Sequence, residues 1–137
     1  MEKKIRYTLG KEERLKSRKV IEQLFKEGKA FTAFPFRVIW QFLPEENNNS
    51  LKAGFTVSTK YFKKAVDRNR IRRLMKEAYR LQKHTLQTGL CESNQQLVIF
   101  IIYVGKEIPE YSLVVEKITV VINKLQKIVN ENNSANN

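Results

Sequence analysis

Apolar positions along this chain fall into blocks whose spacing switches between helical and extended. Behind Ser17, a side chain suited to cap a helix, Val20, Ile21, Leu24 and Phe25 recur at three and four residues, and Gly28 stands where a left-handed C-terminal stop is expected. Leu15, two residues before the cap, is placed to pack back on the first turn as a staple does. The stripe covers two adjacent columns, which is wide for so short a helix. Most of it reads as core, and a groove-facing role for Ile21 or Phe25 stays open.

From 30 to 43 the period becomes two. Phe34, Phe36, Val38, Trp40 and Phe42 share one apolar face, Arg37, Ile39 and Gln41 take the other, and Pro35 marks a break or an edge position. On that face Trp40 reads as structural rather than base-stacking. After a polar loop over 44–50, a second strand over 51–58 turns Leu51, Ala53, Phe55 and Val57 inward and Lys52, Gly54, Thr56 and Ser58 outward. Paired as a hairpin, the two strands set Gly54, Thr56 and Ser58 beside Arg37, Ile39 and Gln41, a shallow face with a small polar floor that suits an extended nucleic-acid strand.

The segment 60–83, KYFKKAVDRNRIRRLMKEAYRLQK, returns to helical spacing. Ile71, Leu74, Met75, Ala78 and Leu81 form its apolar arc, and Asn69, Arg72, Arg73, Lys76, Arg80 and Lys83 the opposite one. Residues 84–96 read as a polar connection. The run LVIFIIYV over 97–104 is apolar at every position, as in a central strand buried on both faces, and its arrival after a helix predicts a parallel crossover. Pro109 sits where a last helix would open, with Tyr111, Val114, Val115, Ile118, Ile122, Leu125 and Val129 as its stripe. The expected order is helix, strand, strand, basic helix, strand, helix within one domain over 14–130, flanked by a flexible basic arm over 1–13 and a disordered tail over 131–137.

Charge changes the reading of 60–83. The chain of 137 residues carries a formal net charge of +12, of which +8 lies in that one segment, where ten Lys or Arg meet only Asp67 and Glu77. Solvated helix faces usually mix signs at i,i+4, whereas here like charges crowd one another and favour a compensating anion. A clustered basic footprint of this kind points to nucleic acid, and less to an anionic membrane surface. No apolar run approaches the roughly 18 to 20 residues of a spanning helix, and the N-terminus lacks the apolar region of a signal peptide, so no membrane partner and a cytoplasmic location are expected.

Catalytic chemistry is sparse. The single His84 and single Cys91 make neither a disulfide nor a zinc site, and Asp67 and Glu77 lie too far apart along a helix to share a metal ion. Their structural roles suffice: Asp67 as helix cap, Glu77 as partner in an intrahelical pair. No phosphate-binding glycine loop or nucleophile elbow occurs. The residues describe a binder.

The run AVDRNRIRRLMKEAYR over 65–80 resembles the signature of the bacterial ribonuclease P protein component: Ala, two residues, Arg-Asn, two residues, Lys/Arg-Arg. Ala65, Arg68, Asn69, Arg72 and Arg73 match every anchor, and Arg14-Leu15, FKEGK at 25–29, GFTVSTK at 54–60 and the apolar strand near 100 extend the resemblance over 12–128. It implies an α/β (α+β two-layer) fold with a mixed four-stranded sheet and three helices, ribosomal-S5-domain-2-like, with a left-handed parallel crossover against the usual rule. It implies the small subunit of a ribonucleoprotein that removes 5′ leaders from precursor tRNA, with Mg2+ on the catalytic RNA and no cofactor bound by the protein alone.

By position, the resemblance assigns Arg68, Asn69, Arg72 and Arg73 to binding of the ribonuclease P RNA, and the basic segment around them adds Lys60, Lys64, Arg70, Lys76 and Arg80 as candidates. It assigns Ile21, Phe25 and Ile39 to a cleft for the precursor tRNA 5′ leader, closed by Lys60, and the mixed sheet face read from alternation adds Arg37, Thr56 and Ser58. The chain departs from the pattern at 58–64, which lacks the family's glycine and is one residue longer, and at Ile21 and Ile39, positions often aromatic. The alternative is a general basic RNA-binding or ribosome-assembly protein with no ribozyme partner. An autonomous nuclease ranks last for want of ligands.

Overall fold

The computed structural model describes residues 13–44, 51–90 and 95–135. Helix α1 (Arg18–Glu27) starts at Ser17, whose hydroxyl accepts a hydrogen bond from the Val20 amide at 3.4 Å, as the sequence predicts. Its end differs from expectation. Gly28 is extended, at φ −69° and ψ 157°, so no left-handed stop is formed. What Gly28 supplies is closeness: a Cβ there would collide with the Leu24 carbonyl and come within 2.9 Å of Ile39 Cγ2.

The stretch expected as one strand is two. β1 (Lys29–Ala33) and β2 (Phe36–Pro44) pair antiparallel around a turn through the cis Phe34–Pro35 peptide. Pro35 has no amide to donate to a ladder, and the turn lifts Phe34 off the apolar face to 68% exposure. Phe36 and Val38 remain in the core, with Trp40 and Phe42 half-buried against it, so Trp40 is structural as read from the alternation.

β3 (Leu51–Val57) does not form a hairpin with β2. The sheet order is β1-β2-β4-β3, with β4 (Gln95–Tyr103) antiparallel to β2 and parallel to β3. An all-apolar strand gains most from the central place, and β4 takes it, which separates the two strands that are neighbours in sequence. The predicted parallel crossover therefore joins β3 to β4.

That crossover contains α2 (Ala65–Gln82) and α3 (His84–Leu90). α3 replaces the expected connection because Leu86 and Leu90, four residues apart, are both fully buried. α2 buries Ile71, Met75, Ala78 and Tyr79, with the Tyr79 ring edge-on to Phe55 at 5.2 Å between centroids. Docking of that ring turns the helix away from the expected arc: Leu81 is 44% exposed, and Lys83 leaves the cationic face to become fully buried. Asp67 is not the cap. Lys64 occupies that position without a side-chain bond, and Asp67 sits in the first turn, where its charge favours the helix dipole.

α4 (Tyr111–Ala135) packs on α2 and α3 through Val114, Ile118, Val121, Ile122, Leu125 and Val129, with Val115 half-buried. Val121 was not expected there, and Tyr111, which was, is exposed at the helix start. Pro109 lies ahead of the helix rather than inside its first turn. The expected disordered tail is helical through Ala135: Asn132 donates to Gln95 Oε1 at 2.6 Å and Asn133 to the Gly89 carbonyl at 2.9 Å, so specific amide contacts replace missing apolar ones. Residues 136–137, and the expected arm except Glu13, lie outside the described residues.

The result is a mixed four-stranded sheet with four helices rather than three among the described residues. α2, α3 and α4 cover one face over the main core, and α1 lies on the other over Ile39 and Val98. Leu15 joins that smaller cluster. Among the described residues no helix is long and apolar enough to cross a membrane.

Candidate nucleic-acid interface

The α1 face of the sheet is read off the strand register. Arg37, Ile102 and Thr56 lie abreast across β2, β4 and β3. So do Ile39, Phe100 and Gly54 in the next row. Thr56 is thus separated from Arg37 by a whole strand, about 10 Å in all, and the face is wider than a hairpin would make it. Its centre is apolar: Phe100 and Ile102 are half-buried, and Phe25 stands over Phe100 edge-on at 5.6 Å and 68°.

The six leader-cleft positions distribute unevenly on this face. Phe25 is 53% exposed, and Arg37 is exposed on β2. Ile21, Thr56 and Ser58 are half-buried. Ile39 is a floor residue, 4% exposed beneath α1 and Gly28. Sequence reasoning missed Phe100 and Ile102 because it set β3 beside β2. The signal was present nonetheless: a strand apolar on both faces puts Val98, Phe100 and Ile102 on the second one, which among the described residues is covered by the small helix α1. Phe100 also restores an aromatic ring to a cleft whose Ile21 and Ile39 are aliphatic.

At the rim, the loop 58–64 is held at three points. The Lys60 amide donates to Ser58 Oγ at 3.3 Å, Phe62 is buried, and Arg68 Nη1 donates to the carbonyls of Phe62 at 2.9 Å and Lys63 at 2.8 Å. The exposed Tyr61 ring has the Lys60 and Lys106 ammonium groups near it, at 5.4 and 5.7 Å from its centroid. Sequence reasoning did not single out Lys106, which comes from the loop after β4.

α2 presents the basic set. Lys60, Lys64, Asn69, Arg70, Arg73 and Lys76 are exposed, and Arg68, Arg72 and Arg80 are half-buried. The three half-buried arginines already have protein partners. Arg68 clamps the loop, Arg72 Nη2 donates to Asn69 Oδ1 at 2.6 Å, and Arg80 pairs with Glu77. The last is the intrahelical pair expected of Glu77, whose carboxyl the Arg80 hydrogen bond holds below its ordinary pKa. Lys76 is held below its own ordinary value by partial burial first, then by the charges of Arg14, Arg72 and Lys16. The like charges that act on Lys76 thus come from Arg72 within the helix and from two residues outside it.

The basic helix on one side of the sheet and the partly aromatic face on the other lie inside a single match: the family model for ribonuclease P covers residues 9–126. The chain belongs to the ribonuclease P protein family. The ribonuclease P protein component of Porphyromonas gingivalis is 39% identical over 108 residues, 79% of each chain. That of Chlorobium phaeobacteroides is 32% identical over 123 residues, 82% of this chain and 84% of its own. Among solved structures, the RNase P protein from Thermotoga maritima superposes with a TM-score of 0.61 at 26% identity, over 82% of this chain and 96% of that one. The Staphylococcus aureus RNase P protein gives 0.62 at 18% identity over 82% and 94%, a likeness of fold alone. As a ribonuclease P family member the chain is a component of an RNA-containing endonuclease, and both α2 and the α1 face of the sheet lie within the matched span.

Proposed function

We propose that this protein component binds the ribonuclease P RNA through α2 and the single-stranded 5′ leader of precursor tRNA across the α1 face of the sheet, and so promotes endonucleolytic maturation of tRNA 5′ ends in the cytoplasm. The observation that carries the reading is the presence of two unlike surfaces, one on each side of a single sheet, in a chain of this family. One is a cationic helix whose Ala65, Arg68, Asn69, Arg72 and Arg73 match the family pattern, and the other is an apolar sheet face flanked by Arg37, Thr56 and Ser58.

The division of labour follows from chemistry. Arg70, Arg72, Arg73, Lys76 and Arg80, with Lys60 and Lys64 at the helix entrance, neutralise phosphates of a structured RNA without reading its bases. Phe25 and Phe100 offer edges and faces to splayed leader bases, where stacking is worth about 1 to 3 kcal/mol per base. Hydrolysis rests with Mg2+ on the catalytic RNA, and the protein raises substrate affinity and assists metal binding there.

The test incubates precursor tRNA with the protein alone, with the RNA alone at low magnesium, and with both. Cleavage is expected only, or far faster, with both. Cleavage by the protein alone would overturn the division of labour. No gain from adding the protein would overturn the subunit role and leave a general RNA-binding protein.

A further inference from the structure

Among the described residues Lys83 is the charged side chain with no exposed surface. It closes α2 as the C-cap, its amide bonded to the Tyr79 carbonyl at 2.9 Å, a position where a cation also suits the helix dipole. Its ammonium pairs with the carboxylate of Glu13, whose other oxygen accepts from Gln87 Nε2 at 3.0 Å. Burying such a pair costs several kcal/mol of desolvation per ion, and apolar side chains often stabilise a fold as well or better. What the pair offers beyond stability is a fixed position for Glu13, seventy residues away in sequence.

The residues that follow Glu13 run along the outer edge of β3. Arg14 bridges Ala53 in parallel, and the Leu15 amide donates to the Ala53 carbonyl at 2.9 Å. Side chains alternate on an extended segment. Leu15 is buried in the small cluster under α1, so Arg14, which bridges the strand edge, is directed to the opposite side of the sheet, where α2 lies, and Lys16 follows just past the bridge. Both are exposed, and the charges of both reach Lys76 on α2.

We propose that the Glu13–Lys83 ion pair is a positioning device that moors residues 13–16 along the edge of β3, so that Arg14 and Lys16 extend the α2 ridge into a two-element cationic surface for the phosphates of structured RNA. The inference rests on the reading of α2 as an RNA-binding helix and adds to it a second strip of chain and the contact that places it. Glu13 and Lys83 touch no RNA in this arrangement. They act through Arg14 and Lys16.

The test uses the full chain with the ribonuclease P RNA as probe and measures affinity across a salt series. In Arg14→Ala/Lys16→Ala the slope of log affinity against log salt should fall by up to about two units, with urea unfolding run beside it to establish that the variant is folded. Glu13→Gln/Lys83→Met removes both charges together and leaves no unpaired ion. Its slope should flatten to the same degree, adding Arg14→Ala/Lys16→Ala should then cost little more, and the Leu15 amide should exchange faster with solvent while α4 keeps its protection. Restoring a pair with Glu13→Asp in the otherwise native chain should keep the native slope. An unchanged slope in Arg14→Ala/Lys16→Ala would overturn the extended surface. A native slope and a protected Leu15 amide in Glu13→Gln/Lys83→Met would overturn the mooring role. Arg72→Ala/Arg73→Ala run in parallel separates this failure from the wider one: if those changes too leave binding intact, the reading of α2 itself fails.

Discussion

The ring of Phe100 lies where a side chain on Gly54 would have to be: a Cβ built on Gly54 comes within 2.8 Å of Phe100 Cδ2 and 2.9 Å of Cε2. The glycine lets the β4 ring spread over β3 and stand beneath Phe25, so the aromatic centre of the sheet face depends on an absent methyl group on the neighbouring strand. Gly54→Ala should therefore destabilise the protein by about 1 to 3 kcal/mol, the usual cost of overpacking. It should also weaken binding of precursor tRNA relative to mature tRNA in the assembled enzyme. Urea unfolding and a leader-length series measure the two effects. A stable variant with unaltered leader dependence would mean that the ring's position is immaterial.

Phe25 offers a cleaner separation of fold from function, because more than half of it is exposed and its contact with Phe100 is an edge. Phe25→Ala is expected to cost less than about 1 kcal/mol of stability, since little apolar surface returns to water. The loss in leader-dependent affinity should be about 1 kcal/mol or more if a base packs on the ring. The opposite outcome, a large fall in melting temperature with leader dependence intact, would return Phe25 to the core.

Arg72 and Arg73 should behave differently from Arg68, although all three belong to the same motif. Arg72→Ala/Arg73→Ala should flatten the salt dependence of RNA binding by up to about two units and leave the melting temperature unchanged or slightly raised, because crowding around Lys76 is relieved. A native salt slope would show that the ridge faces away from the RNA.

Arg68 donates to two carbonyls of the loop that carries Lys60, Tyr61 and Lys64, so its removal should appear first in structure. Arg68→Ala is expected to cost about 1 to 2 kcal/mol, the range for hydrogen bonds from a charged donor at a partly exposed site. Arg68→Lys should recover only part of it, because one ammonium does not reproduce the guanidinium fork. Thermal denaturation of the three proteins gives the order, and equal melting temperatures would mean that Phe62 and the bonds of Ser58 hold the loop without Arg68.

These contrasts show which parts of the molecule local pattern could reach. The Ser17 cap, the inward set Leu51, Ala53, Phe55 and Val57, and the central place of the all-apolar β4 follow from periodicity, because each depends on the element's own residues. What escaped depends on partners distant in sequence. The β2–β3 hairpin was the natural inference from adjacency, and it failed because β4, more than forty residues later, had the stronger claim to the middle of the sheet. Lys83 read as a surface cation because Glu13 could not be placed against it from spacing. The tail read as disordered because the acceptors of Asn132 and Asn133 lie on Gln95 and Gly89. For the candidate site, the basic helix was legible except where packing of Tyr79 turned it, which buried Lys83 and exposed Leu81. Phe100 and Ile102 were hidden by the same topological error that misplaced β3.

Tyr79 links this packing to pH. Its hydroxyl is held above the ordinary tyrosine value by burial first and by the negative charge of Glu13 second. A phenol whose pKa is raised on folding favours the folded state fully below the unfolded value of about 10 and loses that advantage as pH rises above it, because only the unfolded chain then releases the proton. Stability should therefore be insensitive to Tyr79 up to about pH 9 and decline above pH 10 by about 1.4 kcal/mol per pH unit from this group. Tyr103 is raised in the same direction by burial and by Glu107, and its hydroxyl donates to the Glu107 carbonyl at 2.5 Å, so it adds to the alkaline decline. Urea unfolding of the native chain and of Tyr79→Phe between pH 8 and 11 isolates the Tyr79 contribution. The two stability curves should run parallel below pH 9 and converge above pH 10, with the native chain falling faster. Curves that stay parallel to pH 11 would mean that the Tyr79 hydroxyl ionises as readily in the fold as outside it, and that the packing around Tyr79, Phe55 and Glu13 admits water.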